Sequence, residues 1–288
     1  MQRQDFRFFH RLRVRWAEVD LQKIVFNAHY LMYLDTALTD YWRALALPYE
    51  ESLHRLGGDL YVKKSTLEFS ASARGDDLLE IGFKCARIGN SSLQFVGGVF
   101  RGTQFLVGGE LIHVFADPAT QTSKPVPQAL RDVIEGFEKG EPMLRIEIGA
   151  WTAFGEATRK LRQVAFVDEM GLGQDILADA ADEDAVHALA YNRLGMPVAC
   201  ARLVQQRPGV AQVGRMATHR VLRSAGFGRQ LLQHLSLVAK ERGDQELRLY
   251  AQTGVEGFFA KQGFAKHGEP FEQMGLMRQE MTRRLVAY

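Results

Sequence analysis

The chain has 288 residues, 46% of them hydrophobic and 24% charged, and a net charge of +2; it is long for one core and comfortable for two. Residues 1–140 carry 17 Lys/Arg against 17 Asp/Glu, and residues 141–288 carry 19 against 17, so neither half has the basic surplus of a nucleic-acid binder. Met1–Asp5 lacks an apolar leader core, and no stretch reaches the roughly 18 apolar residues of a membrane span, so a soluble cytoplasmic protein with no membrane partner is expected.

The first half reads as a mixed strand over 6–16, then a helix over 27–45. In that helix Tyr30, Leu31, Leu34, Leu38, Tyr41, Trp42 and Leu45 recur at spacings of three and four. Strands follow over 60–73, 78–88, 92–101 and 104–115, separated by Gly-Asp, Gly-Asn and Gly-Thr turns. One long apolar helix and hairpin-linked strands predict an α+β fold, an antiparallel sheet wrapped on a helix. The Pro-rich segment ending at Pro127 stops the sheet, a short helix is predicted over 128–138, and Gly140-Glu141-Pro142 marks the boundary between a domain over 1–140 and a second over 141–288. The second half restarts with a strand over 144–148 and a helix over 156–170. Strands over 198–204 and 212–216, a helix over 228–242, a strand over 246–251, a helix over 255–262 and a strand over 277–283 complete it. Cys85 and Cys200 lie in apolar runs and read as buried free thiols, which suits a reducing compartment. The eight histidines are scattered without metal-ligand spacing, and no metal is expected.

Two segments carry chemistry. The first is Arg15-Trp16-Ala17-Glu18-Val19-Asp20-Leu21-Gln22-Lys23-Ile24-Val25-Phe26-Asn27-Ala28-His29-Tyr30. Attack on a thioester carbonyl needs donors aimed at the developing oxyanion and a base or nucleophile beside them. A helix starting near Asn27 offers N–H groups and the positive end of its dipole, and Asp20 lies in the loop that feeds it. On spacing alone Asp20 is equally a turn cap or the partner of Arg15 or Lys23, and Asn27 is equally an N-cap. This segment, with Gly89-Asn90-Ser91-Ser92 in a hairpin turn, resembles the hotdog-fold acyl-CoA thioesterases of the hydroxybenzoyl-CoA thioesterase (YbgC-like) family over residues 6–138. The resemblance implies that Asp20 is the nucleophile or general base and that polarising donors come from Asn27 and Ala28 at the helix start. It also implies that Gly89, Ser91 and Ser92 contact CoA, and that each site crosses the interface of a homodimer or homotetramer. Members of that family often carry Gly where this chain has Lys23, and some carry His where it has Asn27.

The second segment is Arg223-Ser224-Ala225-Gly226-Phe227-Gly228, between a strand-like run over 212–219 and the helix over 228–242. Two glycines let the backbone approach a ligand, and the helix start offers N–H groups suited to a pyrophosphate. The spacing Arg-x-x-Gly-x-Gly, the strand Arg215-Met216-Ala217-Thr218 before it, Gln252, and the block Glu256-Gly257-Phe258-Phe259-Ala260-Lys261-Gln262-Gly263-Phe264 resemble the GNAT acyltransferase superfamily over residues 142–286. Leu161–Met170 and Asp182…His187-Ala188-Leu189 resemble its ElaA-like branch. The resemblance implies that Arg223, Ser224, Ala225, Gly226, Phe227, Gly228 and Arg229 hold the CoA pyrophosphate, that Met216 and Ala217 meet the pantetheine amides, and that Phe259 borders the thioester. Many members carry there a Tyr that protonates the departing thiolate, and a phenyl ring has no proton to give. His187, Glu169 and His219 are candidate bases for an amine acceptor. Three functions stand open: an acyl-CoA hydrolase joined to an N-acyltransferase that uses acetyl- or acyl-CoA, a thioesterase whose second domain is a non-catalytic CoA sensor or assembly module, or a chain whose hotdog half only binds an acyl group. Neither the acyl chain nor the amine acceptor is legible.

Overall fold

The computed structural model describes residues 1–285. The chain divides into two compact units, Met1–Met143 and Leu144–Tyr288. No helix among the described residues is long and apolar enough to cross a membrane.

The first unit is an antiparallel sheet wrapped on a helix, as its pattern predicts. Strands β1 (Phe8–Arg13), β2 (Asp59–Phe69), β3 (Leu78–Ile88), β4 (Ser92–Arg101) and β5 (Gln104–Ala116) run in the order β1-β3-β4-β5-β2. Helix α1 (Asn27–Ala44) lies against them, with Tyr30, Tyr33, Leu34, Ala37, Leu38, Tyr41 and Trp42 buried. Its close approach depends on glycine. Gly97 pairs with Gly109 across β4 and β5, and a Cβ at either would overlap the Leu34 side chain. Tyr41 sits among Phe8, Phe83, Phe95 and Phe137, with ring centroids 5.2–5.9 Å apart in edge-on geometry. Strand β2 has one neighbour, β5, and presents an open edge of 11 residues.

Two departures from the sequence reading have local causes. Strand β1 is shorter than 6–16 because Trp16–Glu18 forms a 3-10 turn closed by the Glu18 carboxylate on the Arg15 N–H. Helix α2 (Tyr49–Leu56), which the pattern did not suggest, starts after Pro48 and stops at Gly57, whose φ of +74° suits a C-terminal glycine. Helix α3 (Gln128–Lys139) ends in the same way at Gly140, φ +90°.

The second unit contains β6 (Leu144–Gly149), α4 (Trp151–Arg162), α5 (Ala181–Asp184), β7 (Val186–Asn192), β8 (Pro197–Arg207), β9 (Val210–Thr218), α6 (Phe227–Glu241), β10 (Glu246–Gln252), α7 (Glu256–Ala260), β11 (Ala265–Lys266), β12 (Phe271–Gln273) and β13 (Leu276–Arg284). The strands form one sheet in the order β11-β13-β10-β9-β8-β7-β6, with β12 on β13. The helix predicted over 156–170 begins earlier, at Trp151, and passes at Gln163–Asp168 into a π-helical turn. Strand β7 was not anticipated, because its short apolar run does not separate strand from helix.

The feature that makes a site is the junction of β9 and β10, which run parallel. They pair only at Val210–Gln212 with Glu246–Arg248, and beyond that no pairing joins them. A bulge bends β9 at the same place: its register against β8 slips between Gly214 and Ala217, and Arg215 takes φ +51°. The sheet opens into a wedge whose walls are backbone.

Candidate functional site

In the first unit the loop before α1 is folded back on itself. Asp20 N–H donates to the Ile24 carbonyl (2.9 Å), Lys23 N–H to the Asp20 carbonyl (2.9 Å) and Gln22 N–H to Asp20 Oδ1 (2.8 Å), while Val19 bridges Val25. This hairpin holds Asp20 in the loop that leads into α1. Lys23 occupies φ +63°, a left-handed position that favours glycine. Asp20 therefore caps a turn, as one of its readings held, and keeps Oδ2 outside that turn. Arg15 is not its partner: Arg15 pairs with Glu18.

Glu18 is the loop's anchor. It is 3% exposed, accepts from the Arg15 N–H and the Tyr33 hydroxyl (2.8 and 2.7 Å), and its carbonyl takes the Phe26 N–H. Burial opposes its ionisation, but these donors and the Arg15 guanidinium outweigh that and hold the carboxyl below its usual value. Sequence reasoning missed Glu18; its spacing three residues after Arg15 was the available signal.

The N-cap position of α1 belongs to Phe26, not Asn27, which is the first helical residue. The His29 N–H donates to the Phe26 carbonyl. The N–H groups of Asn27 and Ala28 have no acceptor among the described residues, and both residues are exposed. Two adjacent free amides at a helix start can cradle an oxyanion.

The Gly89–Ser92 turn lies elsewhere. It is fastened by Gly89 N–H to the Ser92 carbonyl (2.7 Å), Phe115 N–H to the Ser91 carbonyl (2.8 Å), and the Arg131 guanidinium on the Asn90 carbonyl (2.9 Å). The Asp20 loop bridges to Arg74, just before β3, whereas the turn follows its far end. At about 3.3 Å per residue the length of β3 keeps them roughly 30 Å apart within one chain.

In the second unit the wedge opens into a cleft of about 1250 Å³. Met216, Ala217, Arg223, Ser224, Ala225, Gly226, Phe227, Gly228, Arg229, Gln252 and Phe259 all line it, so the residues expected around CoA share one cavity. Ser224 and Gly226 take φ +68° and +88°, which curls the loop over the start of α6. Gln230 is the first residue whose N–H reaches a loop carbonyl, that of Gly226 at 3.3 Å. The N–H groups of Phe227, Gly228 and Arg229 thus have no intrahelical acceptor. Arg223 pairs with Glu169 (2.8 Å) and donates to the Thr218 carbonyl (3.2 Å). Phe259 packs edge-on against Phe258 and Phe264.

Of the three candidate bases, only Glu169 lines the cleft. His187 is fully enclosed, with Nε2 on the Asp182 carbonyl (2.9 Å) and its ring against Trp151. Burial lowers its pKa and favours the neutral ring. It belongs to a network that the sequence did not disclose. Arg162 and Asp182 meet through two 2.8 Å bonds, Arg202 joins Asp182 and Asp179, and Arg215 joins Asp179 at 2.8 Å. Cys200 is buried and free, while Cys85 is free and half-buried.

Known protein families match both halves of the chain. The Thioesterase superfamily model matches residues 22–107, and the Acetyltransferase (GNAT) domain model matches residues 162–285. Over 147 residues the chain is 31% identical to the UPF0039 protein sll0451 of Synechocystis sp., covering 47% of this chain and 94% of that protein. Over 120 residues it is 26% identical to the acyl-CoA thioester hydrolase YbgC of Escherichia coli, covering 41% and 89%. Slr0204, a 1,4-dihydroxy-2-naphthoyl-CoA thioesterase from Synechocystis, matches 46% of this chain and 97% of its own at 16% identity and a TM-score of 0.42.

The protein is thus a two-domain CoA-related chain, with a hotdog thioesterase-superfamily domain followed by a GNAT domain. Through its C-terminal half it belongs to the family of the UPF0039 protein sll0451.

Proposed function

We propose that the N-terminal domain hydrolyses acyl-CoA thioesters and that the C-terminal domain transfers an acetyl or acyl group from CoA to an amine. The observation that carries the reading is common to both halves. Each has helix-start N–H groups with no acceptor among the described residues, following a feature matched to a CoA thioester: the Asp20 loop in one, the parted strands and glycine loop in the other.

In hydrolysis by the general-base route, Asp20 takes a proton from water as the oxygen adds to the thioester carbonyl. The Asn27 and Ala28 N–H groups hold the oxyanion. Its collapse expels the CoA thiolate, which recovers the proton from Asp20. Direct attack by Asp20, followed by hydrolysis of the anhydride, uses the same groups.

The site is completed in a dimer. Strand β2 is an open edge whose Tyr61, Val62 and Phe69 are exposed, and Trp16, Leu21 and Phe26 are exposed around the Asp20 loop. A second copy joined at that edge covers the apolar surface and supplies the Gly89–Ser92 turn that one chain holds far from its own Asp20. The name of the relative YbgC, an acyl-CoA thioester hydrolase, supports acyl-CoA as the substrate class.

Phe259 favours a second reading, in which the GNAT domain binds acyl-CoA without transferring it. Incubation of acetyl-CoA with a broad amine panel separates the two, since a sensor binds CoA and yields no acylated product. The first test of the whole proposal is thiol release from short, long and aryl acyl-CoAs without amine. Wild type is expected to release CoA, and Asp20→Asn to fall by about 100-fold or more, the range of a lost catalytic base. Equal release by both proteins removes Asp20 from the chemistry.

A further inference from the structure

The cleft of the GNAT domain carries more positive charge than CoA binding at the glycine loop uses. Away from that loop its wall includes Arg202 on β8, Arg215 on the β9 bulge and Arg278 on β13, together with Asp179, Gln273 and Met274. Arg202 stands opposite the enclosed His187 in the β7–β8 register. Arg278 pairs with Gln252 at the end of β10, on the flank of the wedge where β9 and β10 have parted. Arg215 is set back three residues from Thr218, where β9 ends before the loop.

The charges there do not balance. Asp179 is shared by Arg202 and Arg215, and Asp182 by Arg162 and Arg202. Arg278 has no carboxylate partner among the described residues. The one hydrogen bond of its side chain among the described residues is a long one, from Nη1 to the Tyr250 carbonyl at 3.5 Å. The Nε atoms of both Arg215 and Arg278 are enclosed and have no hydrogen-bond partner. Burial, and then the nearby Arg215 charge, hold the Arg278 guanidinium below its usual value. Three guanidinium groups therefore share two carboxylates, and a fourth, that of Arg278, lines the cavity with none. A half-buried cation next to a like charge is costly unless an anion joins it, and a guanidinium fork fits a planar carboxylate through two parallel N–H donors.

We infer that the acyl acceptor is an amine that also carries a carboxylate, of the amino-acid class, and that Arg278, flanked by Arg215, binds that carboxylate. The inference rests on the transferase reading and names its second substrate. Arg278 acts as a specificity residue: it holds the carboxylate so that the amine is directed toward the thioester in the wedge.

The test uses the full chain and matched amines that differ only in the carboxylate: lysine and cadaverine, ornithine and putrescine, phenylalanine and phenethylamine, histidine and histamine. Transfer from acetyl-CoA is expected to favour at least one amino acid over its decarboxylated partner by about 100-fold in kcat/KM, the order expected for a desolvated charged pair. Arg278→Gln should erase most of that preference by raising KM for the amino acid while leaving the decarboxylated amine unchanged. Arg278→Lys, which keeps the charge without the fork, should fall between.

Equal turnover of every matched pair by wild type overturns the inference. So does an Arg278→Gln effect confined to KM for acetyl-CoA, which would give the arginine to the cofactor's phosphates. If no amine is acylated, the transferase reading fails separately. Equilibrium binding of the same pairs to the CoA-loaded protein then decides the subsite: amino acids binding above their decarboxylated partners sustain it, and equal or absent binding ends it.

Discussion

Asp182→Asn is expected to destabilise the C-terminal domain far more than a change of one atom suggests. The Asp182 side chain is 1% exposed and that of Arg162, its bidentate partner, 0%. It accepts two 2.8 Å bonds from Arg162, a 2.8 Å contact from Arg202 and the Asp179 N–H at 3.0 Å. Burial works against its ionisation, yet these donors win, and a carboxyl ordinarily near 3.8 is held at about 2. That difference corresponds to about 2–3 kcal/mol of folding stability. Because the folded-state value is depressed, this contribution is complete above about pH 4 and is lost as the pH falls toward about 2. The substitution does more than protonation does: it leaves Arg162 as a permanent buried cation without its counter-charge, which costs about 3–5 kcal/mol. For a domain of this size the unfolding midpoint should drop by about 10–15 °C. Differential scanning calorimetry of the full chain reads this as a fall in the C-terminal transition with the N-terminal one unmoved. In wild type the same transition should weaken between pH 4 and pH 2. A midpoint within about 3 °C of wild type, corresponding to about 1 kcal/mol, would refute the assignment of Asp182 as the network's counter-charge.

Phe259→Tyr is expected to raise the acyl-transfer rate at saturating acetyl-CoA by about tenfold or more by adding a proton donor in the cleft; an unchanged CoA release rate would show that thiolate protonation does not limit turnover. Gly226→Ala forces a β-carbon onto φ +88°, at a cost of about 1–2 kcal/mol. Calorimetric titration should show acetyl-CoA binding weakened by about tenfold, and unaltered affinity would mean the curled loop is not the grip. Val62→Asp, on the open edge of β2, should give a monomer in sedimentation together with loss of thiol release. A fully active monomer would remove the shared-site argument.

The sequence alone determined the local elements and the backbone loops. Helix α1 is visible because its buried residues recur at the helical period, and β3, β4 and β5 because turn residues separate their apolar runs. Both candidate helix starts were also visible to within a residue: Asn27-Ala28 follows the Asp20 loop, and the helix expected from Gly228, which begins at Phe227, follows a turn that needs glycine. These features are set by a few adjacent residues and the steric limits of their backbone. Other features depend on the fold. The short run Val186–Ala190 becomes β7 only because β6 and β8 flank it. His187 is neutral and enclosed rather than a base in the cleft because β7 carries it under Trp151. The Gly89–Ser92 turn is separated from Asp20 by the full length of β3, a distance that no motif records. Arg162, Asp179, Asp182, Arg202 and Arg215 come from α4, the loop before α5, α5, β8 and β9, so their pairing and the unmatched charge of Arg278 emerge only when the sheet forms. Periodicity reports which face of an element is apolar. Which charges are neutralised, and which are left facing a cavity, depends on contacts between residues far apart in the chain, and those exist only in the tertiary structure.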